Sequence, residues 1–190
     1  PTHSFLACQN REGAPMQRNL KIAYAMALLS AASLPARAEV VSMSGGGFAL
    51  RQMVTSTLSP EVAWRRFVDI ANWWNGDHTY SGKAAALSID LCAGGCWCET
   101  LSDGGGVRHM TVGYLQPGKM ISFEGGLGPL RDMGASGALS VSFKALPEGG
   151  GTTVTMTYNV VGYSADGFAA LAPLVDQVLA EQFTRFAALR

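Results

Sequence analysis

The chain is poor in charge. Lys, Arg, Asp and Glu supply only 15% of its 190 residues, 14 basic against 14 acidic, and no basic run occurs. Phosphate binding needs a concentrated positive face, so nucleic acid is excluded as the main partner. Long apolar runs are scarce as well. Residues 22–34 form a mostly apolar run of 13, against the roughly 20 that a helix needs to span a bilayer. No phosphate-cradling loop, G-x-S-x-G elbow or H-E-x-x-H motif is present, and no cofactor is expected. What the chain does have is 48% hydrophobic residues and 23 glycines. The first supports a packed core; the second clusters at 45–47, 104–106 and 149–151, where glycine punctuates turns.

The short apolar run reads as an export signal. Arg18 and Lys21 precede it, and Ala36-Arg37-Ala38 supplies a small-residue cleavage site before Glu39. Met16 reads as the initiator and residues 1–15 as an extension ahead of the gene start. Residues 16–38 are then a signal peptide, 39–47 a flexible lead-in and 48–190 the folded domain. This places the mature chain in the periplasm or outside the cell, with no transmembrane segment.

Within the domain, residues 48–56 have strand character. Ser59-Pro60-Glu61 starts a helix: Ser59 can cap, Pro60 suits the first helical position and Glu61 favours the positive end of the dipole. Spacing at Ala63, Phe67 and Ile70 carries this helix to about Trp74, where Asn75-Gly76 breaks it. Six segments of period two follow, carried by Leu87-x-Ile89-x-Leu91, Trp97-x-Glu99-x-Leu101, Met110-x-Val112-x-Tyr114, Ile121-x-Phe123, Leu139-x-Val141-x-Phe143 and Val154-x-Met156-x-Tyr158. Short turns between them predict an antiparallel meander. A broad apolar stripe over residues 167–189 predicts a long final helix, with Pro173 near its start.

Strand, helix, meander and long helix define an α+β chain of helix-grip type, a curved antiparallel sheet wrapped around a C-terminal helix. On SPEVAWRRF, WWNGDHTYSG, the AGGCWCE turn, GGLGPL and the closing helix, the chain resembles the START-like (Bet v 1-like, SRPBCC) superfamily, near its polyketide cyclase and Hsp90-ATPase-activator-homologue relatives. The resemblance implies a fold and leaves the activity open, because that fold hosts carriers, enzymes and co-chaperones.

LCAGGCWCET packs Cys92, Cys96 and Cys98 into one turn. With a three-residue loop at Ala93-Gly94-Gly95, Cys92 faces Cys96 and Leu91 faces Trp97. Facing residues lie about 4.5 to 5.5 Å apart, inside the disulfide range. A Cys92–Cys96 bridge with Cys98 free is therefore expected in an oxidising compartment. Free thiols are one alternative; a metal set with His109 on the same outer face is the other.

The chemistry of a grip cavity falls to inward polar groups. Glu99 shares the phase of Trp97 and is the leading inward carboxylate, read first as a structural group bonded to a neighbouring backbone or Tyr and second as an acid or base, while Asp77, His78 and Tyr80 follow Trp73-Trp74 near the expected mouth. Residues 125–137, with Leu127 and Leu130, read either as a glycine-hinged cover or as a floppy surface connection. The expected border is Trp74, Tyr80, Trp97, Glu99, Met110, Phe123, Leu127, Leu130, Tyr158 and Val178. An exported binder of a hydrophobic or amphipathic small molecule is the favoured function. A cyclase- or hydrolase-type enzyme using Glu99, His78 or Asp77 is the alternative, and a ligand-free interaction module the third. Sequence alone leaves the oligomeric state open.

Overall fold

The computed structural model describes residues 37–190. The expected extension at 1–15 and the expected leader 16–38, apart from Arg37 and Ala38, lie outside the described residues; those two pair with Met53 and Gln52. The elements run β1 (Arg37–Ser44), β2 (Gly47–Ser56), α1 (Pro60–Val68), β3 (Leu87–Ile89), β4 (Cys96–Thr100), β5 (Gly106–Gln116), β6 (Met120–Glu124), α2 (Pro129–Asp132), β7 (Ser136–Ala145), β8 (Thr152–Val161) and α3 (Leu171–Ala187). All eight strands form one antiparallel sheet in the order β1-β2-β8-β7-β6-β5-β4-β3. The six-strand meander and the closing helix stand as the periodicity predicts.

Alternation builds the core. In β8, Val154, Met156, Tyr158 and Val160 are buried while the residues between them are more accessible, as one covered face requires. Against that face sit α1 and α3, joined through aromatics. The Phe67 ring lies 5.6 Å from Phe143, 5.7 Å from Phe186 and 6.3 Å from Phe183. Gln52 of β2 donates to the carboxylate and backbone oxygen of Asp176, fixing α3 to the sheet.

Three expectations need correction. Residues 39–47 are not a flexible lead-in: β1 pairs with β2 from Arg37↔Met53 to Ser44↔Gly47, because the chain can cover the β2 edge. The first helix does not reach Trp74. It is capped by Ser59, whose hydroxyl accepts from the Val62 amide at 3.4 Å, and stops at Asp69, whose φ −84° and ψ 58° are not helical. A short 3₁₀ turn, Ile70–Asn72, then delivers Trp73 and Trp74 to the core.

The third correction concerns the cysteine turn. Ile89, rather than Leu91, faces Trp97, and β3 ends there. Residues 90–95 form a longer connection, held by Gly94 N–H to Val112 O and Val112 N–H to Gly95 O, both 2.8 Å. A shift of two residues keeps every side chain on its face, so alternation cannot distinguish the two registers. Leu91 is left exposed, and Cys92 no longer faces Cys96. The bridge is Cys96–Cys98, with Cα atoms 5.3 Å apart. Cys92, in the connection, is engaged as well.

Candidate small-molecule cavity

A cavity of about 580 Å³ opens between α3, the β4 end of the sheet and the 125–137 segment, within the size range of small-molecule pockets. The first half of α3 supplies one wall. Leu174, Val175 and Val178 of its apolar stripe stay partly accessible and line the space, whereas Phe183 and Phe186 of the second half are core. The stripe therefore does two jobs along its length.

Of the residues expected at the border, Trp74, Tyr80, Trp97, Leu127, Leu130 and Val178 line the cavity, and Asp77 and His78 stand at its rim. Met110, Phe123, Tyr158 and Glu99 do not border it; they are buried behind the wall. Each has a reason. Phe123 packs edge-on to Trp97 at 5.3 Å between ring centroids. Tyr158 is the anchor of the cover segment: its hydroxyl accepts from the Leu127 amide at 3.0 Å and donates to the Gly125 carbonyl at 3.1 Å. Burial pushes its phenol up to about 12.

Glu99 is inward, but its oxygens are occupied. Oε2 accepts from the Tyr80 amide at 3.1 Å and meets His109 Nε2 at 2.9 Å, while Oε1 accepts from the Ser81 amide. Burial raises the carboxyl, yet the bonds from Ser81, Tyr80 and His109 outweigh it and hold Glu99 below its ordinary value. It fastens the 76–83 loop to the sheet and does not reach the cavity.

The residue that does reach it is His109, expected on the outer face with the thiols. It is buried, and it lines the cavity. Two features turn it inward. The hairpin after β4 pairs Thr100 with Gly106 rather than with His109, an odd offset that exchanges faces. A β-bulge then follows: Cys98 faces Arg108 while Trp97 faces Met110, so His109 and Met110 both point inward. The signal was present in GVRHMTV, where Val107 and the pair Met110, Val112 lie on opposite phases. Only a bulge lets all three be buried. The metal reading with His109 and all three cysteines falls with this geometry, since the imidazole and the Cys96 and Cys98 sulfurs sit on opposite faces of the sheet.

Burial lowers the His109 imidazole and nearby Arg131 lowers it further, while Glu99 pulls the other way without prevailing. At the mouth, Tyr80 connects the 76–83 loop to α2: its hydroxyl lies 3.4 Å from Asp132, and the Arg131 guanidinium stands 5.6 Å above its ring. His78 pairs with Glu181 at 3.1 Å, on the surface. Glu99, His78 and Asp77 thus do not converge on one point.

No family model matches the chain, and no curated protein matches it. Solved structures do. A conserved protein of unknown function from Enterococcus faecalis superposes with TM-score 0.54 at 12% identity, over 80% of this chain and 74% of that one. A protein from Mesorhizobium loti gives 0.52 at 15% identity, over 73% and 93%. One from Mycobacterium smegmatis gives 0.52 at 15%, over 83% and 96%. At such identities the likeness is one of fold.

Proposed function

We propose that this is an exported helix-grip protein of the START-like superfamily that carries a hydrophobic or amphipathic small molecule. The observation that carries the reading is the cavity itself: a space of about 580 Å³ walled by Trp74, Trp97, Leu130 and the partly accessible leucine and valine side chains of α3. A monomer gains nothing by leaving that helix face uncovered, since each 100 Å² of apolar surface withheld from water is worth about 2.5 kcal/mol. A ligand that fills the space recovers this, less its ordering cost.

Export is supported by the basic residues, the apolar run and the Ala36-Arg37-Ala38 site; N-terminal sequencing of envelope-extracted protein should read EVVSM. Among the described residues no helix is long and apolar enough to cross a membrane.

The test of the carrier is direct. Nile red should bind the purified chain, and native mass spectrometry of protein from its own envelope should show a retained small molecule. Val178→Trp, which fills the space from α3, should weaken Nile red at least tenfold with little change in Tm. If no apolar probe binds, carrier and enzyme fall together and an interaction module is left.

A further inference from the structure

We propose that the cavity seats the hydroxyl group of an otherwise apolar molecule on Nδ1 of His109 and rejects the matching carboxylate and amine. The inference rests on the carrier reading and names the chemical class of its cargo.

The hydrogen bonds fix the imidazole. An ionised carboxylate only accepts, so His109 Nε2, 2.9 Å from Glu99 Oε2, must carry the proton. That leaves Nδ1 as a lone-pair acceptor, and among the described residues no donor reaches it. His109 borders the cavity while Glu99 lies behind it. The seat therefore calls for a donor on the ligand. Its neutral form is the one the site maintains, with burial and the Arg131 charge both opposing an imidazolium.

Charge narrows the class. A ligand carboxylate on Nδ1 would lie ~7 Å from the Glu99 charge. At an effective dielectric of about 20, that repulsion weakens binding about fiftyfold. Asp77 at the rim adds the same sign, whereas Asp132 is paired with Arg131 at 2.9 Å. An ammonium group would donate, and the Glu99 charge would attract it, but it must shed its water in an apolar space, which costs more than that attraction returns, and it meets the Arg131 charge that already opposes an imidazolium there. A hydroxyl brings no charge.

The experiment uses the whole chain at neutral pH and four probes of equal tail: 1-decanol, decyl methyl ether, decanoate and decylamine, each displacing Nile red. The alcohol should bind about tenfold tighter than the ether, which lacks only the donor, and decanoate and decylamine should bind more weakly than either. In His109→Leu the alcohol should fall to the level of the ether while the ether keeps its affinity, which also shows that the variant is folded. If that variant loses the ether too, the wild-type ratio of alcohol to ether decides. Equal affinity of alcohol and ether in the wild type, or tightest binding by decanoate or decylamine, overturns the hydroxyl seat and leaves the carrier standing. Failure of all four probes and of Nile red overturns both.

Discussion

Replacing Glu99 by glutamine keeps the volume but puts an NH₂ where the Tyr80 amide, the Ser81 amide or His109 Nε2 now donates. A buried donor left without an acceptor costs about 1–3 kcal/mol, so Glu99→Gln should lower the urea unfolding free energy by about that much. An unchanged midpoint would show that the 76–83 loop does not depend on the carboxylate. The same pair sets a pH response. His109 sits below its ordinary 6.5 in the folded chain, so on acidification the unfolded chain takes up that proton first. Stability should fall as pH drops from about 6.5 toward the lowered folded value. Glu99, also held below its ordinary 4.5, gives a second loss once pH falls below about 4.5. Urea midpoints across this range should show the first decline in the wild type and not in His109→Leu. At this scale the sequence revealed Glu99 as inward and as a carboxylate held by neighbouring backbone, and it wrongly set that side chain on the cavity border. A phase count sees which face a side chain takes, but not that two backbone amides from residues 80 and 81 arrive to use its oxygens.

Two strand connections show how far alternation reaches. It placed the six meander strands and the closing helix correctly, because one covered face imposes period two on every strand that crosses it. It failed at β3–β4, where an even slip left the pattern intact, and at β5, where a bulge changed phase midway. The error moved the disulfide: peptide mapping without reduction should return a Cys96–Cys98 link. Reduction should change stability little, since so short a closed loop removes little unfolded-state entropy. The cover segment was legible from its glycines and leucines, but its fastening was not, because Tyr158 reads as one more core position of β8. Tyr158→Phe removes the bonds to Leu127 and Gly125. Hydrogen exchange at the Leu127 amide should then speed up at least tenfold, and Nile red should dissociate faster. Unaltered exchange would mean that α2 holds the segment by packing alone.

At the scale of the molecule, β1 and β3 are the two end strands of the sheet among the described residues. A chain started at Gly47 would bare the β2 edge and remove part of the support of α3. It should melt several degrees lower and self-associate more readily, as unprotected edges do; light scattering and thermal unfolding would show either change. The cavity lies toward the opposite edge, and its inner imidazole, that of His109, depends on counting. Deleting Arg108 would erase the bulge yet leave Val107 opposite Glu99 and Gly106 opposite Thr100. His109 would then stand opposite Cys98, on the solvent side, and the cavity would lose its inner imidazole without any lining residue being substituted. Loss or gain of a single codon, rather than drift in the lining residues, is thus the short path by which a chain of this architecture could exchange a cavity with an inner imidazole for one without it.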